Sequence, residues 1–297
     1  MRGDGNDGDG RDDPAAGLRV TEVGTEGPRV VLLHGLFGRG RNFTQVAKAL
    51  TPELRSVLVD LPNHGASAWT TTVDYPVVAG LVADLLDERY AADGPVHLVG
   101  HSMGGKVAMV LALTRPDLVE RLVVVDIAPA ESSGAGEFEH LLASLAALPL
   151  ERVVRRSDAD ELLAPAVPDE RVRLFLLQNL RATDGGFAWE PNLALLRREL
   201  PTIGGFPEVL RPDGSAATFD GPVLWVAGER SSYVRPEHAA PMRRLFPRTR
   251  SVTVRGAGHW VHSERPDAFV DVLRAFLLPR GSAPMVDVER TTGIEPA

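Results

Sequence analysis

The sequence predicts an α/β fold: a mostly parallel sheet with helices on both faces and a helical segment inserted between two of its strands. Three observations predict it. Strand-like and helix-like segments alternate through most of the chain, as crossover connections between parallel strands require. Several of the strand-like runs are rich in Val and Leu, the pattern of strands buried on both faces. The alternation breaks once, between about Ala130 and Ala217, in a stretch of helical patterns.

The strand candidates, in order, are Arg29–His34, Ser56–Asp60, Val96–Val99, Arg121–Asp126, Pro222–Ala227 and Ser251–Arg255. The last four are read as buried on both faces. The helix candidates between them are Asn42–Leu50, Tyr75–Ala91, Gly104–Thr114, Pro236–Phe246 and Pro266–Leu277. Pro236 and Pro266 suit a first helical turn, where the missing N–H has no partner to lose. In the interruption, Phe138–Ala147, Glu151–Leu163, Asp169–Leu180 and Leu193–Leu200 read as helices, with no clear buried strand. A stretch this long is not a plain loop. Residues 130–217 are expected to form a helical cap on a core of residues 17–129 and 218–280, shaping a pocket and excluding water.

The remainder is tail. Residues 1–16 set Asp4, Asp7, Asp9, Asp12 and Asp13 against Arg2 and Arg11; so little apolar surface cannot offset the entropy of ordering, and a disordered acidic tail is expected. Residues 281–297 show no strong period and read as a second tail. The net charge of −8 argues against an electrostatic grip on nucleic acid or anionic lipid. The absence of cysteine excludes disulfides, thiolate metal sites and a thiol nucleophile. No run approaches the ~20 apolar residues that span a bilayer, and the first residues carry no apolar signal segment, so a cytoplasmic protein is expected.

The strongest chemical signal is Gly100-His101-Ser102-Met103-Gly104. It has the form G-x-S-x-G, with an apolar strand before it and a helical pattern after it. A serine on so sharp a turn is exposed beside a helix N-terminus, and glycines flank it because side chains there collide. Ser102 is the candidate nucleophile. The oxyanion of its tetrahedral intermediate needs two preorganised donors. One is the N–H of Met103. The other comes from His34-Gly35-Leu36-Phe37-Gly38, after the first strand candidate: Leu36, with Phe37 the alternative.

The hydroxyl needs a base. Of the eight histidines, His34, His64, His97 and His101 precede or adjoin the serine. His140 falls in the cap, and His238 reads as a solvated residue at a polar helix start. His259, in the glycine-flexed loop after the last strand, is the first candidate, and His262 is read as packing. The acid is less direct. The usual loop, before the histidine strand, offers Ser231 where a carboxylate belongs, with Glu229 close by. Asp126, at the end of the strand after the nucleophile helix, is the first candidate and Glu229 the second. Either fixes the imidazole tautomer and stabilises its charge. Asn63-His64-Gly65-Ala66-Ser67 reads first as a polar turn, with a place at the site mouth as the alternative. Phe138, Phe175, Phe187 and Trp189 read as cap core that could also border an acyl pocket.

Together these residues resemble the α/β-hydrolase superfamily. More narrowly they resemble the YbfF-type esterases and the abhydrolase-domain-containing protein 11 group. The resemblance rests on His34-Gly35-Leu36-Phe37-Gly38, Asn63-His64-Gly65-Ala66-Ser67, the elbow with Gly105-Lys106, Asp126-Ile127-Ala128-Pro129, Ser231-Ser232-Tyr233-Val234 and Gly256-Ala257-Gly258-His259-Trp260-Val261-His262. It covers roughly residues 18–280. It implies a triad of Ser102, Asp126 and His259 and hydrolysis of short- to medium-chain acyl esters; with no metal, nucleotide or flavin signature in the sequence, no cofactor and no metal are expected. Acyl-CoA thioester hydrolysis or acyl transfer needs the same triad, and a non-catalytic ligand binder is the third alternative. The partner is a small acyl ester or thioester. The Gly-rich stretches 35–40 and 100–105 lack the GK[ST] and GxGxxG forms of nucleotide sites.

Overall fold

In the computed structural model, which describes residues 17–132, 135–211 and 213–278, the apolar runs become strands and the amphipathic runs cover them. In chain order the core begins with β1 (Val20–Val23), β2 (Arg29–Leu33), α1 (Thr44–Leu50), β3 (Arg55–Val59) and α2 (Tyr75–Tyr90). It continues with β4 (Val96–His101), α3 (Met103–Thr114) and β5 (Val119–Val125). The interruption then supplies α4 (Ala135–Ala146), α5 (Arg156–Leu163), α6 (Glu170–Leu177), β6 (Leu180–Thr183), β7 (Gly186–Trp189), α7 (Leu193–Arg198) and α8 (Leu200–Gly204). The core resumes with β8 (Val223–Gly228), α9 (Ala239–Leu245), β9 (Thr249–Val254), α10 (Val261–Glu264) and α11 (Pro266–Leu277).

Among the described residues seven strands form one sheet in the order β1-β3-β2-β4-β5-β8-β9. All neighbours are parallel except β1, which runs antiparallel to β3. The strand period of two splits β2 between two cores. Val31 and Leu33 pack with α2 and α3, among Val82, Leu86, Val107 and Leu111. Val30 and Leu32 pack the other way, with Phe43, Val46 and Leu50, and with Phe269, Leu273 and Leu277 of α11. The helix α11 starts at Pro266, where its fixed φ costs nothing.

Three expectations are corrected. β9 is an edge strand with Arg250, Ser251 and Thr253 exposed, not a strand buried on both faces; it has a neighbour only in β8. The interruption is not wholly helical: β6 and β7 pair antiparallel, Thr183 opposite Gly186 across an Asp184-Gly185 connection. Its α6 therefore ends at Leu177 rather than Leu180, because Leu180 already belongs to β6. The short strand β1, whose two central residues are exposed, was not expected at all. The expected acidic tail 1–16 and the tail 281–297 lie outside the described residues.

Candidate active site

Four neighbouring strand ends carry the site: Ser102 follows β4, Asp126 β5, Ser231 β8 and His259 β9. β4 ends at His101, and Ser102 turns the chain into α3 with φ 52° and ψ −119°, a region that L-residues rarely occupy. The turn is dense. A Cβ on Gly100 would lie 2.2 Å from the Gly104 carbonyl oxygen, and one on Gly104 would lie 2.4 Å from the His34 carbonyl oxygen. Both positions must therefore be glycine. Ser102 N–H donates to Val125 O at 3.0 Å, and Asp126 N–H to Val226 O at 2.8 Å, so backbone bonds fix the spacing of the β4, β5 and β8 ends. Asp126 also has positive φ, at 52°, which turns its side chain back across the sheet edge.

The structure brings Ser102, His259 and Asp126 together. His259 Nε2 lies 3.0 Å from Ser102 Oγ, and His259 Nδ1 lies 2.8 Å from Asp126 Oδ2. Asp126 is fully buried, where an unpaired carboxylate costs several kcal/mol. Its donors offset this: Gly228 N–H at 3.0 Å to Oδ1, the Ser231 hydroxyl to Oδ2, and the imidazole. Glu229, the second candidate, points elsewhere. It is exposed and accepts from Gly256 N–H at 2.8 Å, holding the loop that carries His259.

The imidazole is held on both sides. The Tyr233 ring stacks on it, with centroids 4.1 Å apart and planes at 30°. His101 Nε2–H donates to the His259 carbonyl at 2.8 Å. His101 in turn packs against His262, which packs on Phe43. Burial, helped by the neighbouring rings, pushes His101 well below the usual imidazole range and His262 down to about 3. Both therefore stay neutral supports, and His262 packs as expected.

Leu36 and Met103 border the same pocket as Ser102, with Lys106, Ile127, Ser132, Phe138, Leu200, Ile203, Gly204 and Tyr233. Met103 begins α3, where first-turn N–H groups have no intrahelical partner. Leu36 sits in a turn closed by Gly38 N–H to Gly35 O at 2.9 Å, and Phe37, at φ 62°, completes it. Leu36 rather than Phe37 lines the pocket. The free space beside the serine is about 20 Å³, on the order of one water molecule. Of Phe138, Phe175, Phe187 and Trp189, Phe138 alone lines it; Phe175 packs at a tilt against Trp260, 5.6 Å between centroids.

Residues 63–67 lie in the expected turn, with Asn63, His64 and Ser67 buried in it; Asn63 and Ser67 bond within the loop. Asn63 Oδ1 accepts from Thr70 N–H at 2.8 Å and Ser67 Oγ donates to Asp60 O at 2.6 Å. His238 is buried rather than solvated, its Nδ1 folded back to accept from Arg235 N–H at 3.2 Å. Sequence reasoning missed the roles of His101, Tyr233 and Lys106. The serine in the acid loop was a visible signal for Ser231, though not for its bond to Asp126. Among the described residues no cluster of His, Cys, Asp and Glu is disposed to hold a metal ion, and no helix is long and apolar enough to cross a membrane.

Comparison with known proteins agrees with this architecture. Residues 30–272 match the model of an alpha/beta hydrolase family. The chain is 41% identical over 256 residues to the sn-1-specific diacylglycerol lipase ABHD11 of Mus musculus, covering 84% of this chain and 81% of that one. It is 32% identical over 248 residues to esterase YbfF of Escherichia coli K12, covering 84% and 92%. A solved marine microorganism esterase superposes with a TM-score of 0.83 at 27% identity, covering 88% of this chain and 99% of its own. The chain belongs to the alpha/beta hydrolase family.

Proposed function

We propose that the protein hydrolyses short- to medium-chain acyl esters through an acyl-enzyme on Ser102. The chain is a carboxylic ester hydrolase, as relatives named esterase and lipase indicate. The observation that carries the mechanism is the continuous line of contacts from Asp126 through His259 to Ser102.

Asp126 accepts a hydrogen bond from His259 Nδ1–H and so keeps the proton on Nδ1, leaving Nε2 free to take the proton of Ser102. The Ser102 oxygen attacks the acyl carbon, and the carbonyl oxygen becomes an oxyanion. The N–H groups of Met103 and Leu36 receive that charge. The imidazolium then protonates the departing alcohol. A water deprotonated by His259 attacks the acyl-enzyme, and collapse returns Ser102 and releases the acid. Residues 130–217 act as the cap: Phe138, Leu200 and Ile203 line the pocket at the serine and keep the oxyanion dry.

The test is a p-nitrophenyl ester series from acetate to palmitate, with wild type and Ser102→Ala. Wild type is expected to prefer the shorter chains, and Ser102→Ala to lose at least ~10³-fold in kcat, as loss of a triad nucleophile does. A Ser102→Ala enzyme that retained wild-type turnover would overturn the assignment.

A further inference from the structure

Lys106 is a buried charge that this reaction does not use. It lies one turn into α3, its N–H bonded to Ser102 O at 3.1 Å, and is 1% exposed. Such burial is rare for a lysine. Its Nζ faces four oxygens: Ser132 Oγ at 3.0 Å, Ile203 O at 3.2 Å, Gly204 O at 2.6 Å and Gly205 O at 2.6 Å. An ammonium has three protons to share among them. Burial pulls the ammonium down to about 7, and Glu131 acts against this from a distance. The carbonyls it touches also favour the charged form.

All four acceptors lie in the interruption between β5 and β8. Ser132 stands near its start, and residues 203–205 form the end of α8, where helix carbonyls lack intrahelical donors. Two further bonds close the cluster: Ser132 N–H to Gly204 O at 2.8 Å and Tyr75 Oη–H to Ile203 O at 2.7 Å. Lys106, Ser132, Ile203 and Gly204 are also walls of the pocket at Ser102. One side chain on the nucleophile helix thus holds two distant parts of the cap together at the pocket wall. With free space of only about 20 Å³ there, a long acyl chain needs part of the pocket wall to move, and these four residues form part of it.

We propose that Lys106 is a positioning residue that latches α8 and Ser132 closed over the serine pocket and so sets how long an acyl chain the enzyme accepts. This rests on the reading of residues 130–217 as a cap over an ester site. A lysine that merely stabilised the fold would affect all substrates alike. A latch discriminates between them, because only long chains need it open.

The experiment compares the full chain with Lys106→Met, which keeps the length of the side chain and removes the charge. Hydrogen exchange is read at the amides of Ser132, Ile203 and Gly205, each of which is hydrogen-bonded in the closed state. Loss of charge-assisted bonds is expected to speed exchange there by at least ~10-fold, with β2 and β4 unchanged. The ratio of kcat/KM for p-nitrophenyl octanoate over acetate is expected to rise by about the same factor. Should Lys106→Met not fold, Ser132→Ala removes one acceptor and is expected to shift the same amides in the same direction. Unchanged exchange at these three amides sinks the latch, and so does an activity loss equal on both esters. If wild type cleaves no ester, the ester mechanism fails, while the exchange result still decides whether Lys106 holds the segment closed.

Discussion

Replacing Asp126 by Asn separates catalysis from folding at this site, and the hydrogen bonds determine how. Asp126 Oδ1 accepts from Gly228 N–H at 3.0 Å, so the asparagine carbonyl takes that place. Its amide nitrogen then stands where Oδ2 was, facing His259 Nδ1. An NH₂ group donates and does not accept. The imidazole must therefore turn its Nδ1 lone pair to it and carry its proton on Nε2, 3.0 Å from Ser102 Oγ. That tautomer cannot take the serine proton. Triads with this exchange lose about 10⁴-fold in kcat, or ~5.5 kcal/mol of barrier at 1.36 kcal/mol per tenfold. The fold should hold, because a neutral amide avoids the cost of a buried carboxylate and keeps the Gly228 contact. The assay is kcat on p-nitrophenyl butyrate beside a thermal melt of each variant. The expected result is a loss of 10³-fold or more with little change in melting temperature, and a loss under about threefold for Glu229→Gln. Near-normal activity in Asp126→Asn, or the large loss falling on Glu229→Gln, refutes the assignment.

Two further outcomes follow from burial and packing. Burial lowers the imidazoles of His34 to about 4 and of His64 and His262 to about 3, and His101 also falls well below its usual range. Below pH 6.5 the unfolded chain binds a proton at each position that the folded chain does not, so stability is lost as pH falls. Between pH 7.5 and 5.5 His34, His64 and His262 each contribute about 1.4 kcal/mol of loss, about 4 kcal/mol together, with His101 acting in the same direction; this is a large share of ordinary stability. Urea midpoints at pH 7.5 and 5.5 check this, and equal midpoints contradict it. Gly104→Ala places a methyl within 2.5 Å of the Leu33 and His34 carbonyl oxygens, neither of which can swing away. A stability loss of about 3 kcal/mol or more, or failure to fold, is expected; a urea midpoint like that of wild type contradicts the packing.

What was legible in the sequence had a local physical cause. The elbow was readable because its turn leaves no room for a Cβ at residues 100 and 104. The central strands were readable because burial on both faces demands an unbroken apolar run. The hairpin of β6 and β7 was announced by Asp184-Gly185, a strong turn signal, but its half-buried strands gave no alternation to set against the helical pattern. The edge strands β1 and β9 escaped proper reading for the same reason. Lys106 and Tyr233 were opaque because their partners lie far along the chain: Lys106 meets carbonyls 97 to 99 residues away, and no local spacing encodes such a contact.

The acid shows how a sequence anomaly can become structural sense. The loop after β8 carries Ser231 where a carboxylate was expected, and Asp126 ends the adjacent strand β5. Neighbouring parallel strands lie only about 5 Å apart, so a carboxylate rooted at either end can meet the same imidazole nitrogen. Moving the acid to β5 left the other position free for a donor, and Ser231 fills it by bonding Asp126 Oδ2. The carboxylate then has donors on both oxygens and holds His259 Nδ1 at 2.8 Å while fully buried. In the proposed triad Ser231 is therefore a support: its hydroxyl bonds Asp126 Oδ2 and helps to hold the carboxylate toward His259.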